Sequence, residues 1–103
     1  MIVGTCLITL RISWASSLKE KRMVVKSLID RMKNKFNISV AEVEHQDNHK
    51  KAVIGFACVT NETSHANSII DKVLDFVENN TEAEVEETFI EILWKYIFLW
   101  IFY

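Results

Sequence analysis

The hydrophobic period changes from two residues to about 3.6 residues within residues 2–36, IVGTCLITLRISWASSLKEKRMVVKSLIDRMKNKF. Up to Ser13 the apolar side chains favour the even positions and the odd positions are more mixed, which is typical of a strand with one better-buried side. After Ser17 the apolar residues recur at three- and four-residue spacing, which predicts a helix with one apolar face. That face comprises Val24, Val25, Leu28, Ile29, Met32 and Phe36. The segment therefore supplies a strand and then a helix.

The ends of this helix carry local signals. Ser17 and Glu20 are spaced as a capping box, in which the Ser17 hydroxyl accepts from the third helical N–H and Glu20 reaches back to the Ser17 N–H. Asn37 favours termination, because asparagine tolerates the left-handed conformation of a C-terminal cap. We therefore expect a helix from Leu18 to about Phe36.

The rest of the chain repeats the pattern with an added hairpin. Residues 38–45 and 51–60 are predicted strands, and the polar loop 46–50 joins them. Thr63 or Ser64 is expected to cap a second helix that ends at Asn79-Asn80. Its apolar face comprises Ala66, Ile69, Ile70, Val73, Leu74 and Val77. A fourth strand is predicted over residues 81–93.

The predicted order β-α-β-β-α-β has one compact solution with right-handed crossovers. It is an α+β, ferredoxin-like architecture, with a four-stranded antiparallel sheet and two helices on one face. The other face of the sheet remains open. We assign residues 1–93 to this domain and residues 94–103 to an apolar, aromatic C-terminal tail.

Composition excludes several classes of protein. The chain has 103 residues, of which 50% are hydrophobic, and it contains two glycines and no proline. One small globular domain fits this length, and a disordered or Gly-loop phosphate-binding protein does not. Cys6 and Cys58 lie in apolar strand-like runs and are expected to be buried free thiols in a cytoplasmic protein. No secretory signal is apparent at the N-terminus.

The net charge of −2 conceals an imbalance along the chain. Residues 1–37 carry eight basic and two acidic groups, a net charge of +6, whereas residues 38–103 carry four basic and twelve acidic groups, a net charge of −8. The positive charge comes mostly from the first helix, so a polyanion is one partner to consider.

Several short motifs resemble the YlxP-like family, a family of small bacterial proteins of unknown function. The matching residues are Ser17–Arg22 (SLKEKR), Lys26–Leu28, Arg31, Phe36–Val43 (FNISVAEV), Gln46-Asp47, Ala52, Gly55 and Val59–Asn61. The resemblance implies a ferredoxin-like fold, a cytoplasmic location and, from the genes that often neighbour those of the family, work on RNA or the ribosome. It supplies no catalytic residues. Trp14 and the tail depart from the family pattern.

The first helix supplies the candidate nucleic-acid-binding residues. They are Lys19, Lys21, Arg22, Lys26 and Lys33. Most of them fall on one edge of the apolar face, where cations can follow a phosphate backbone and bind it without reading sequence. The alternative is a solvated helix face whose long side chains cover the edge of the core. Lys21 lies closest to the apolar face, and we expect it either to reach around the helix start or to point into a groove beside Trp14.

Three other groups of residues give weaker functional signals. Phe56 lies where RNA-recognition motifs place stacking residues, but the motif match is poor and we assign Phe56 to the core. His45, Asp47 and His49 could converge on a metal, although a solvated hairpin turn explains them better. Glu42 and Glu44 share a face of the second strand, as expected for a solvated edge strand. We expect no cofactor and no metal, and, since no nucleophile–base pair is evident, we favour a non-catalytic module over an enzyme.

The C-terminal tail is apolar on both faces if it is extended. Trp94, Tyr96, Phe98 and Trp100 occupy alternate positions, and we assign them to an interface with a second copy of the chain. A non-native C-terminus without a selected role is the alternative. With ten residues the tail is too short to cross a membrane, which takes roughly 20 apolar residues, and we expect no membrane association. The expected partners are therefore ribosomal RNA or the ribosome, and a second copy.

Overall fold

The structure, a computed structural model, describes residues 1–94. Its elements are β1 (Ile2–Arg11), α1 (Leu18–Lys35), β2 (Ser39–Glu44), β3 (Lys51–Thr60), α2 (Thr63–Asn80) and β4 (Glu84–Trp94). The strands form one antiparallel sheet in the order β2-β3-β1-β4. The ferredoxin-like βαββαβ prediction is confirmed, and β2 and β4 are the two edges of the sheet.

The core lies between the helices and one face of the sheet. The even residues of β1 point into it, and Cys6, Ile8 and Leu10 are all at most 1% exposed. The helix residues that cover them are Val25, Leu28, Met32, Ile70, Val73 and Val77. Burial of each large aliphatic side chain contributes about 1.5–3 kcal/mol, so this shared apolar layer holds both helices on the sheet. Phe56 and both free cysteines are buried in the core, as predicted.

The first helix begins as predicted but completes its cap differently. The Ser17 hydroxyl accepts a hydrogen bond from the Glu20 N–H at 3.1 Å. Glu20 does not reach back to the backbone of Ser17; its carboxylate accepts from the Ser16 hydroxyl at 2.6 Å. The helix stops without a left-handed residue, because Phe36 is already extended (φ −127°). Asn37 is therefore not a cap.

The N-cap of the second helix lies one residue before Thr63, the earlier of its two expected caps. Glu62 is the N-cap residue and makes no side-chain capping bond, so the assignment of the cap to Thr63 or Ser64 is wrong. The turn is held instead by Thr60, whose hydroxyl accepts from the Glu62 N–H at 3.3 Å and donates to the Glu62 carbonyl at 2.8 Å. The predicted end at Asn80 is confirmed.

The end of β1 and both ends of β4 differ from the predicted bounds. β1 stops at Arg11, and the Ile12 N–H donates to the Lys50 carbonyl in the β2–β3 loop at 2.8 Å. β4 starts at Glu84 rather than at residue 81, and it runs on to Trp94, the first residue of the predicted tail. Neither of the two helices within residues 1–94 is long and apolar enough to cross a membrane.

Candidate nucleic-acid interface

A groove of about 420 Å³ runs between α1 and the edge strand β2. We call it the α1 groove, and it is lined by Arg22, Val25, Lys26, Ile29, Asp30, Lys33 and Glu42. The cations lie at helical positions i, i+4 and i+11, which places them on one side of α1 while Val25 and Ile29 anchor the helix to the core. Three of the five predicted nucleic-acid-binding residues thus share one concave surface.

Lys19 and Lys26 differ in how they relate to this groove. Lys19 lies in the first turn of α1 and is exposed, but it does not line the groove. Lys26 forms an (i, i+4) ion pair with Asp30 at 3.2 Å. Their side chains are 79% and 55% exposed, and a pair this exposed to water is worth at most about 1 kcal/mol. Lys26 can therefore leave Asp30 for a phosphate at little cost.

Lys21 is not part of the basic surface. Its side chain is completely buried, and its ammonium group donates to the Glu42 carboxylate at 2.8 Å and to the His45 carbonyl at 2.9 Å. The carbonyls of Gln46 and Lys51 lie at 3.4 Å from the same nitrogen. The expectation that Lys21 contacts nucleic acid is wrong for this geometry, because no phosphate can reach an ammonium group enclosed by four oxygen atoms.

Glu42 has a role that the edge-strand interpretation missed. Its side chain is 17% exposed rather than solvated, and it accepts the ion pair from Lys21. A bulge at Val43 separates it from Glu44, since Glu42 pairs with Ile54 and Glu44 pairs with the adjacent Val53. Lys21 neutralises the Glu42 charge at the wall of the α1 groove. Of the charges lining the groove, three cations then face one remaining carboxylate, that of Asp30.

The sheet order keeps the cations of α1 apart from the acidic strand β4. The helix α1 packs against β2 at one edge, whereas β4 at the other edge carries four glutamates and no basic residue. The two strands between them separate these edges. The cations of the α1 groove are therefore not neutralised by β4, whereas Arg11 of β1 does pair with Glu86 of that strand.

A second basic cluster lies where the β1–α1 loop meets the β2–β3 loop. Arg11, Ser13, Asn48, Lys50 and Lys51 line a cavity of about 300 Å³. This cluster was not predicted from the sequence. Arg11 and Lys51 are 40 residues apart and meet because they are paired in the β1–β3 register. The dipeptide Lys50-Lys51 at the hairpin was the available signal.

The middle of the open sheet face carries exposed apolar side chains. Leu7, Val43, Val59 and Phe89 are between 39% and 68% exposed, and Phe89 and Gly55 both pair with Leu7 from opposite sides. Trp94, at the end of β4, is 45% exposed. Tyr96, Phe98 and Trp100, which we assigned to an oligomer interface with it, lie outside the described residues.

The histidines and thiols show no arrangement for catalysis or metal binding. Within residues 1–94 no three His, Cys, Asp or Glu side chains are grouped to hold a metal ion. His45 adopts a left-handed backbone conformation (φ 62°), which turns its carbonyl to Lys21. Burial raises the pKa of the Cys6 thiol to about 11, so this thiol stays protonated and unreactive at neutral pH.

Comparisons with known proteins agree on family and fold. A family model described as a protein of unknown function (DUF503) matches residues 3–90. The uncharacterized protein YlxP of Bacillus subtilis (strain 168) is 37% identical over 70 residues, which are 68% of this chain and 76% of that relative. The resemblance to the YlxP-like family is thereby confirmed.

Two solved structures contain a region with the same architecture. A de novo designed protein with a ferredoxin fold matches with a TM-score of 0.50 at 14% identity, over 90% of this chain and 83% of its own. A VAO-type flavoprotein from Myceliophthora thermophila C1 matches with a TM-score of 0.53 at 12% identity, over 99% of this chain but 18% of its own. At such identities these matches show the fold alone.

Proposed function

Because the chain belongs to the DUF503 family, for which no activity is described, we propose from its own surface that it is a non-catalytic module that binds ribosomal RNA through the α1 groove. The observation that carries this proposal is the convergence of Arg22, Lys26 and Lys33 on one groove whose remaining acid is Asp30. The resemblance to the YlxP-like family, with its implied link to the ribosome, points to the same class of partner.

The dimensions of the helix suit a phosphate backbone. From Lys19 to Lys33 the exposed cations extend over about 21 Å of helix, which is long enough to contact several consecutive phosphates. Each contact releases condensed counterions, so the affinity depends on salt and little on base sequence. The acidic strand β4 lies at the opposite edge of the sheet and leaves this approach open.

A salt series tests the proposal directly. Filter binding of the full chain to ribosomal RNA between 50 and 200 mM KCl is expected to give a straight line of log affinity against log salt. Three phosphate contacts predict a slope of about −2, since each contributes about −0.7 on single strands. An affinity that does not change over this range contradicts the proposal, as does the absence of binding at 50 mM.

A second candidate function is self-association through the open sheet face. With strands about 4.8 Å apart and about 3.3 Å per residue, this face offers roughly 600 Å², close to the lower limit of stable dimer interfaces. Phe89 stands beside a groove of about 410 Å³ that Leu7, Val43 and Gly55 help to line. In a two-fold dimer the Phe89 ring of one copy would fill this groove in the other.

Light scattering of the full chain distinguishes this candidate. We expect the mass of a dimer for the native chain and of a monomer for Phe89→Lys, because a charge would be buried in the interface. Met23→Lys is the matched control, since Met23 is 65% exposed on α1, away from the sheet face, and it should stay dimeric. A chain without residues 94–103 tests the contribution of the tail. If the full and shortened chains are both monomers, the candidate is rejected.

A further inference from the structure

The β1–α1 loop (residues 12–17) and the β2–β3 loop (residues 45–50) are bonded into one rigid unit. The Ile12 N–H donates to the Lys50 carbonyl at 2.8 Å. The Lys50 ammonium group in turn donates to the carbonyls of Ser13 at 2.8 Å and Ala15 at 3.1 Å. Buried Lys21 holds the β2–β3 loop from below through His45 and Gln46. A surface built on these loops is therefore preorganised, which lowers the entropic cost of binding.

The cavity in this unit has the chemistry of an anion site. Arg11, Lys50 and Lys51 supply three cations, Ser13 and Asn48 supply neutral polar groups, and none of these five residues is acidic. The side chains of Arg11 and Lys51 are 55% and 38% exposed. A phosphate group can reach both, and guanidinium and ammonium groups are the donors that phosphate prefers.

Glu86 moderates the charge of this cavity. Its carboxylate pairs with the Nε of Arg11 at 2.5 Å and with the ammonium group of Lys51 at 3.6 Å. The Glu86 side chain is itself only 23% exposed. An anion that enters the cavity must share the two cations with this carboxylate, so the site is expected to be weak for a free anion and to need a second contact.

Trp14 offers that second contact. It follows Ser13, which lines the cavity, and it is 48% exposed. A half-exposed indole beside cations is suited to stacking an unpaired base, because every base presents a π-face to it. Ser13 and Trp14 are consecutive residues, so a nucleotide whose phosphate enters the cavity carries its base into the neighbourhood of Trp14.

We propose that this loop end binds one unpaired nucleotide of an RNA strand, with its phosphate between Arg11, Lys50 and Lys51 and its base stacked on Trp14. The inference rests on the proposed RNA-binding function and adds its substrate class, which is single-stranded rather than duplex RNA. The α1 groove binds backbone of either kind, whereas stacking requires a base that is free of its partner.

A nucleotide titration tests the site apart from the α1 groove. We follow the backbone amides and the Trp14 indole N–H of the full chain by NMR while adding uridine 5′-monophosphate. Shifts are expected at residues 11–15 and 48–51 and at the indole, and inorganic phosphate should shift the cavity residues without the indole. Shifts confined to residues 22–33, or none at 10 mM nucleotide, overturn the inference and leave the proposed function standing.

Variants of the loop end test it with RNA. Trp14→Ala should weaken binding of a 12-nucleotide single strand by about 5- to 150-fold, the worth of one stacked base, and leave a 12-base-pair duplex unchanged. Trp14→Phe, which keeps a ring, should retain most of the single-strand affinity. Glu86→Gln should strengthen it by releasing Arg11 and Lys51. If Trp14→Ala weakens single strand and duplex equally or leaves both unchanged, the loop end is not a nucleotide site.

Discussion

Replacing Lys21 with methionine is expected to lower the free energy of unfolding by about 3–5 kcal/mol. The ammonium group is enclosed by the Glu42 carboxylate and three backbone carbonyls. Methionine fills a similar volume but donates no hydrogen bond, so it leaves the partly buried Glu42 carboxylate without its cation and removes one hydrogen bond from each of the surrounding carbonyls. Urea denaturation followed by circular dichroism measures the loss.

Two further variants show whether the loss comes from the buried pair. Lys26→Met makes the same change on an exposed lysine of the same helix, where the side chain is 79% exposed, and it should alter stability by no more than about 1 kcal/mol. Adding Glu42→Gln to Lys21→Met removes the stranded charge and should recover part of the loss. The interpretation is wrong if Lys21→Met is as mild as Lys26→Met.

Reversing the charges of the α1 groove is expected to weaken RNA binding by about 100-fold or more. The variant is Arg22→Glu with Lys26→Glu and Lys33→Glu. Each contact between a cation and a phosphate is worth about 1 kcal/mol in water, and reversal replaces attraction by repulsion at all three positions. The salt slope should also fall towards zero, because the contacts that release counterions are gone. Filter binding at 50 mM KCl gives the largest difference.

A control with the same net charge separates the groove from overall electrostatics. Arg31→Glu with Lys35→Glu and Lys72→Glu changes the charge of the chain by the same amount at residues that do not line the α1 groove. We expect this control to bind within about tenfold of the native chain when both are compared at physiological salt, where charges that do not touch the phosphates are screened over about 8 Å. Equal losses in both triple variants would show that net charge, not the groove, governs binding.

The order of elements could be read from local patterns. The alternation in β1, the three- and four-residue spacing in α1 and the Ser17 hydroxyl are each decided within a few residues of sequence. The cap of α2 was not, because Thr60, Thr63 and Ser64 all carry hydroxyls, and which of them bonds to the backbone depends on how the chain leaves β3. Local sequence propensity predicts a turn there but does not indicate which hydroxyl bonds to the backbone.

The candidate site could be predicted only in part. The helical spacing of Arg22, Lys26 and Lys33 already placed them together, since a helix fixes its own geometry. The position of Lys21 depends on oxygen atoms from β2, the following loop and β3, and no local pattern brings them together. Arg11 and Lys51 meet only through the register of two strands, which a single sequence does not reveal.

The strand order β2-β3-β1-β4 separates the cations of α1 from the glutamates of β4 and so gives residues 1–94 an electric dipole. Three inter-strand spacings of about 4.8 Å separate the strand beneath the cations of α1 from the four glutamates of β4. The field of a polyanion exerts a torque on such a molecule and rotates its basic edge forward before contact is made. A larger fraction of collisions then starts in the correct orientation, so added salt should lower the association rate more than it raises the dissociation rate.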